Sequence, residues 1–499
     1  MYMQRPPSAE NDLLTLTWGL FLLLVLGVVL IGLGAPLTPI LILGFICAIL
    51  FAFRYIYLSF YVAIALSVFL GVMFSLPSGG LLLGQQAFGG AVDVYAVEIA
   101  MFVVLAAWAL RLLFYWYGRH DVNWRPRLPI IGPYLALFAA HLASMFSNAL
   151  PSKIFTVQYS LRPVLLDYLA FVALPASLIR SRRRLVGALA AMVAVGLFAA
   201  ATGFIAVFFS GSSATLLSRA HPLPIFGMDV LGENHNELAE VMVYTSMFAW
   251  ALSLLSKNRR TKRLLGFAAV FQTLVGFLTF TRTFWIVFVV QVAYLLTTEW
   301  RASFRRYSAQ VLLALIMLVP FGVGIIIYLG SYSAASSNIT RLMMSEIAWN
   351  YFINNPIFGV GAGTFINRIG QVWTFAIEFG APLDSHGYLQ KIATETGVLG
   401  LAALAAVVIA LARLVKRTVL LIRVEQARRI YHLLVAGALG AFVYQLFNTD
   451  YWTGKLWLPI GLMLAAGYVL GQENQSERSA DEEPYLGSSD SLAHDILGS

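Results

Sequence analysis

The sequence predicts an all-α polytopic membrane protein of about 14 (12–14) transmembrane helices with one long, partly helical periplasmic or extracellular loop. Three observations predict it. Sixty per cent of the 499 residues are apolar and only 11 % are charged, against roughly a quarter in a soluble domain. Apolar runs of about 17–25 residues recur, each long enough to cross a bilayer. They are continuous rather than alternating, which selects helices over a barrel. The cations are also distributed unequally between the connections, in the sense that orients membrane proteins.

Taken in order, residues 1–12 are polar with one cation, Arg5, and read as a cytoplasmic N-terminus. The run 13–34 is too long for a signal-peptide core and has no evident small-residue cleavage site, so it reads as a retained helix. Further spans fall at roughly 36–53, 55–76, 94–114, 128–147, 159–178, 185–209, 237–256, 264–280, 282–299, 309–330, 397–413, 431–449 and 456–470, giving a transmembrane domain over 13–470. With the N-terminus inside, twenty-five of the 33 Lys and Arg fall on cytoplasmic segments and span ends. Eight fall outside: Lys153, Arg162, Arg219, Arg282, Arg341, Arg368, Lys391 and Lys455. Both termini are then cytoplasmic, and 331–395 is a large external loop. The tail 471–499, rich in Ser, Glu and Asp, reads as disordered.

Several classes recede. The single cysteine, Cys47, excludes an intramolecular disulfide and argues against a cysteine metal site. The net charge of +9 is accounted for by the inner loops and calls for no nucleic acid. There is no Walker A loop, HExxH, GxSxG or Asp-x-Asp pair, so neither a cofactor nor a metal is called for. No soluble domain and no clear repeat is evident, and the spacing of charge clusters exposes no two matching halves, which argues against a transporter.

The outer cations carry the chemistry to be explained. Arg282, in Phe280-Thr281-Arg282-Thr283-Phe284-Trp285, has only a tight turn between two apolar runs to hold it. Arginine near hydrocarbon is costly unless it snorkels or is partnered. It is either an interfacial anchor beside Trp285 or an inward anion ligand, since its fork suits phosphate oxygens. Arg341 opens a segment whose Leu342, Ile347 and Trp349, with Met343 or Met344, fit a short amphipathic surface helix. There it either bridges to Glu346 or Ser345 or supplies a second phosphate ligand. Arg162 precedes Pro163, with Asp167 five residues on as a structural partner or a functional intramembrane acid. Asp93, Glu98, Glu237 and Glu240 are further acids near the outer face.

His386 lies in the external loop, before Gly387, which leaves room for backbone or substrate to approach. Histidine is the side chain best placed to exchange a proton near neutral pH. Glu395 follows nine residues on; if Tyr388–Glu395 is helical, the two meet only if the loop folds back. His235 is a second candidate on a neighbouring outer loop, and Asn236 beside it suits a helix cap.

Four pieces in order resemble the O-antigen ligase and polymerase superfamily of bacterial envelope glycan enzymes. They are Asn236-Glu237-Leu238-Ala239; Thr281-Arg282; Arg341 leading into Asn355-Pro356-Ile357-Phe358-Gly359-Val360-Gly361-Ala362-Gly363; and Ser385-His386-Gly387-Tyr388-Leu389 with Glu395-Thr396-Gly397-Val398-Leu399-Gly400. Family members more often carry Asn or Ser after the His, and often Gly near the Arg, where this chain has Gly387 and Thr283.

The resemblance implies an inverting glycosyltransferase in the bacterial cytoplasmic membrane, working on its outer face without metal or nucleotide. The donor would be an undecaprenyl-pyrophosphate-linked glycan, and the acceptor a hydroxyl on another glycan, a lipid or a protein. Flippase and chain-length regulator proteins would be its partners beside the bilayer. Arg282 and Arg341, with Arg162 as a third cation, would bind the pyrophosphate. His386, with Glu395, would serve catalysis, and His235 and Asn236 would stand near. The generous span count favours a polysaccharide polymerase over ligase-type transfer to lipid A core or protein. The rivals are a lipid-linked glycan flippase, which would tolerate loss of His386, and a structural scaffold, which would tolerate Arg282→Lys and His386→Ala together.

Overall fold

The computed structural model describes residues 37–69, 71–77, 91–118, 126–147, 156–157, 159–209, 219–232, 234–298, 300–302, 332–373, 375, 377, 384–448 and 456–486. The readings made for the N-terminus 1–12, the spans 13–34 and 309–330, Lys153, Lys455 and the tail beyond Leu486 lie outside these residues.

The described chain is predominantly helical, as backbone in hydrocarbon requires. Helix α1 (Leu37–Arg54) and α2 (Ile56–Leu66) meet at 118°. Arg111 of α3 (Ala96–Gly118) closes the end of α1, donating from Nε to the Phe53 carbonyl at 2.8 Å and from Nη2 to the Arg54 carbonyl at 3.2 Å. A cation there complements the negative end of the helix.

Then come α4 (Ile131–Ala143) and α5 (Ser160–Leu178). The first part of α5 is wound in wide π-turns, where Pro163 supplies no backbone donor. They are followed by α6 (Arg182–Phe209), α7 (His235–Leu255), α8 (Arg259–Leu278) and α9 (Arg282–Leu296). The chain continues through α10 (Tyr332–Asn354), α11 (Phe365–Gly370), α12 (Tyr388–Leu421), α13 (Glu425–Gln445) and α14 (Trp457–Leu486).

Among the described residues, five helices are long and apolar enough to cross a membrane: α3, α5, α6, α7 and α12, or six if the bent α1–α2 pair is one span. The described residues do not confirm the expected count of fourteen, two of whose spans, 13–34 and 309–330, lie outside them. The readings at 128–147, 282–299 and 456–470 fall on shorter apolar helices, Ile131–Ser147, α9 and Trp457–Gln472. Those at 264–280 and 431–449 fall on α8 and α13, which open on Arg259, Arg260, Lys262 and Arg263 and on Glu425, Arg428 and Arg429.

The all-α expectation also misses a strand pair. β1 (Met73–Pro77) and β2 (Ala91–Tyr95) run antiparallel, with Met73 opposite Tyr95 and Pro77 opposite Ala91. Five-residue strands give too short an alternation to stand out from an apolar background, so the reading at 55–76 ran past the end of α2 into β1. Helix α14 continues beyond Gly471 to Leu486, into the segment whose composition suggested a disordered tail.

Helix α7 is the centre of the bundle and almost wholly buried, whereas the apolar stretch of α12 is mostly exposed beyond its buried N-terminal part. Gln291 of α9 ties the centre together. Its Nε2 donates to the carbonyls of Val243 in α7 and Ala436 in α13, each at 3.0 Å. A buried amide that satisfies two foreign helices fixes their register as well as their distance.

One clasp sets the geometry on the side away from the bundle centre. The loop after α10 lies against a break in α12 at Gly397, whose φ of +64° is a left-handed conformation. Val398 N–H donates to the Pro356 carbonyl at 2.8 Å, and Val360 and Gly361 N–H donate to the carbonyls of Thr394 and Glu395 at 2.9 and 3.0 Å. A Cβ at residue 397 would lie 2.5 Å from the Ile357 carbonyl oxygen.

Candidate active site

Two helix N-termini come together at the site. Helix α7 starts after Asn234, whose side chain caps it by accepting from Asn236 N–H at 3.0 Å. The cap is therefore Asn234 and not Asn236. Asn236 points elsewhere: its Oδ1 accepts from the Thr281 hydroxyl at 3.2 Å, at the start of α9. Its carbonyl accepts from the Tyr444 hydroxyl of α13 at 2.6 Å. These bonds fix the beginnings of α7 and α9 to each other and to α13. Each beginning presents unsatisfied N–H groups and the positive end of a helix dipole.

Between α8 and α9 the chain turns through Phe280, a non-glycine residue at φ +52°. Such a conformation costs on the order of 1–3 kcal/mol and persists only where its surroundings impose it. The turn is pinned by the Thr279 hydroxyl, which donates to the Gly276 carbonyl at 2.7 Å and accepts from Thr281 N–H at 3.2 Å. Its effect is to set Arg282 on the first residue of α9, half-buried.

Arg341 is carried by α10. Met344 and Ala348 bury against Phe365, Ile369 and Phe375, while Leu342 and Trp349 stay exposed. The apolar face is thus split between a small core and the outside, and does not form the single stripe the spacing suggested. The Ser345 hydroxyl donates to the Arg341 backbone carbonyl at 2.8 Å, one turn back in the same helix.

His386 sits in a tight turn just before α12. Asp384 Oδ1 accepts from Ser385 N–H at 2.8 Å, and Asp384 Oδ2 pairs with the buried Lys391 ammonium at 2.5 Å. Gly387 is needed for a close approach: a Cβ there would lie 2.8 Å from the Leu446 carbonyl oxygen at the end of α13. The room beside the histidine is taken by backbone.

Two adjoining pockets result. The first, about 250 Å³, is lined by Arg219, Arg282 and Arg341, by His235, and by Phe280 and Thr281. The second, about 180 Å³, is lined by His386, Glu237, Asn234, Tyr444, Phe447 and Asn448. Asn236, Thr283 and Arg341 line both and form their common wall. Each is smaller than the roughly 300–1,000 Å³ of a pocket that engulfs a whole small molecule, so each suits one group of a larger substrate. The first gathers three guanidinium groups and the starts of α7 and α9, a combination suited to a multiply charged anion. The second pairs an imidazole with amide, carboxylate and phenol groups, which suits hydroxyl-bearing ligands.

The structure therefore brings together Arg282, Arg341, His386, His235 and Asn236. It does not bring Arg162 or Glu395 to either pocket. Arg162 makes a two-pronged contact with the buried Glu98, Nη2 to Oε2 at 2.7 Å and Nε to Oε1 at 3.3 Å. Its ion pair is therefore with Glu98, 64 residues away along the chain. Glu395 is fully buried in the clasp, where its two oxygens accept from Gly363 N–H at 2.9 Å and Phe365 N–H at 3.0 Å. Arg219, Tyr444 and Asn448 are site residues that sequence reasoning did not single out. Arg219 stood among the outer cations, which was its only signal; Tyr444 and Asn448 had none.

Residues 267–405 match the family model described as O-antigen ligase. That segment is similar to the O-antigen ligase family. The O-antigen ligase segment runs from within α8 to within α12 and carries Arg282, Arg341, His386 and Glu395, whereas Arg219, His235, Asn236 and Tyr444 lie outside it. No curated protein matches the chain. The match points to glycan transfer of the O-antigen ligase or polymerase type by a membrane-embedded enzyme.

Proposed function

We propose that the protein is an inverting glycosyltransferase that moves a glycan from an undecaprenyl-pyrophosphate donor to an acceptor hydroxyl, on the outer face of the cytoplasmic membrane. The observation that carries this reading is the pair of adjoining pockets, one cationic and one holding His386, with Arg341 in the wall between them. The donor pyrophosphate occupies the cationic pocket, and the acceptor hydroxyl lies in the other beside His386. The anomeric carbon is then at the junction, with nucleophile and leaving group on opposite sides, which is the geometry of a single displacement with inversion. His386 takes the hydroxyl proton as the new glycosidic bond forms. The old bond's electron pair passes to a phosphate oxygen, whose new charge the preorganised guanidinium groups stabilise. These fixed cations supply what a metal supplies in other transferases, so the reaction needs none.

The topology that goes with this has about fourteen spans, both termini inside and the pockets outside, a reading supported by the cation distribution. On the span count we take the acceptor to be a second lipid-linked glycan, making the enzyme a polysaccharide polymerase. The test is product analysis from purified protein in liposomes given only an undecaprenyl-pyrophosphate oligosaccharide, with His386→Ala alongside. A ladder of longer lipid-linked glycans, lost in the variant while donor binding persists, is the expected result. Product only after addition of lipid A core or envelope protein means ligase-type transfer. No product with any acceptor overturns the transferase reading in favour of a transporter.

A further inference from the structure

Arg162 was the third cation expected at the pyrophosphate, and it is held by Glu98. A third guanidinium is nevertheless present in the cationic pocket, from the segment between α6 and α7: Arg219. It is fixed by a side-chain bond, its Nη1 lying 3.3 Å from Nε2 of His235. A guanidinium only donates, so Nε2 of His235 is the acceptor and the ring carries its proton on Nδ1. The Ala220 N–H donates to the Leu278 carbonyl at 2.9 Å, which anchors the residue after Arg219 to the end of α8. Arg219 is thereby held at both its backbone and its side chain.

The lining of the two pockets orders the cations along the site. Arg341 borders both and so lies at the junction with the His386 pocket. Arg219, with its partner His235, lines the cationic pocket alone, as Arg282 does. A pyrophosphate lying in this pocket with its sugar at the junction has its sugar-side phosphate against Arg341. Its second phosphate, the one that bears the lipid, lies towards Arg219. We infer that the Arg219–His235 pair recognises the lipid-side phosphate, and so selects prenyl-pyrophosphate donors over prenyl-monophosphate donors. The inference rests on the cationic pocket being the pyrophosphate site.

Farnesyl pyrophosphate and farnesyl monophosphate share a prenyl chain and differ by one phosphate, so their affinity ratio for the detergent-purified full chain reads this selectivity directly. Wild type should prefer the pyrophosphate. Arg219→Gln should lower pyrophosphate affinity by about tenfold or more, the scale of one lost charged contact, and leave monophosphate affinity nearly unchanged. Arg219→Lys keeps the charge without the fork and should fall between. His235→Ala should weaken the pyrophosphate in the same direction, and Arg341→Gln should weaken both probes. If Arg219→Gln and Arg219→Lys change neither probe, or weaken both equally while elution and thermal unfolding stay those of wild type, Arg219 does not read the second phosphate. If wild type itself binds the two probes alike, the pyrophosphate reading of the pocket fails before any variant is considered.

Discussion

Arg282 occupies the first residue of α9, where its charge adds to the positive end of the helix dipole. Arg219 and Arg341 line the same small pocket. Three guanidinium groups beside two helix starts suit a multiply charged anion. Arg282→Gln should abolish the rise in unfolding temperature that farnesyl pyrophosphate gives the wild-type protein, which differential scanning fluorimetry with and without the ligand checks. A variant stabilised by farnesyl pyrophosphate as much as wild type would mean that Arg282 does not hold the anion. Glu395 should behave differently. Its carboxylate is used up on Gly363 and Phe365 N–H groups. Glu395→Ala leaves two buried donors unmet at about 1–3 kcal/mol each. It should lower the unfolding temperature of the empty protein, which His386→Ala should not.

At the scale of elements, the helices were legible where an apolar run is long and uncharged. Helices α6 and α7 lie close to their expected limits of 185–209 and 237–256. The strand pair was not, because its signal is short. Arg282 and Arg341 were legible because a cation expected on the outer side stands against the inside bias. Arg219 and Arg162 carry the same signal, and what separates them is Glu98, 64 residues from Arg162 along the chain. No local pattern reports such a partner. The glycine run 359–363 was visible as a motif, but its role as a clasp depends on Gly397 in another helix. Gly397→Ala must force a side chain into left-handed backbone and against the Ile357 carbonyl, at about 2–4 kcal/mol for strain and overpacking together. It should destabilise the protein in thermal unfolding and displace the His386 turn, so that transfer falls with little change in the affinity for farnesyl pyrophosphate. A variant as stable as wild type would show that the clasp yields without cost.

Across the whole molecule, the pockets lie at the starts of α7 and α9, and the ends of these helices fix which side of the membrane they face. The turn between α7 and α8 carries Lys257, and the start of α8 adds Arg259, Arg260, Lys262 and Arg263, five cations in seven residues. The proposed topology has that turn in the cytoplasm, and α7, as a single span, would then carry His235 and the pockets to the outer face. The arrangement offers a clean test, since Cys47 is the only cysteine and can be removed as Cys47→Ala. Phe226, 97 % exposed at the tip of the turn between Ile225 and Met228 that precedes α7, is an accessible reporter on the pocket side. In the Cys47→Ala background, Phe226→Cys in intact cells should react with a membrane-impermeant maleimide, and Asn258→Cys should react only after the membrane is opened. The reverse pattern would put the His386 pocket in the cytoplasm, where a lipid-linked glycan displayed on the outer leaflet cannot reach it, and the proposed reaction would fall with the topology.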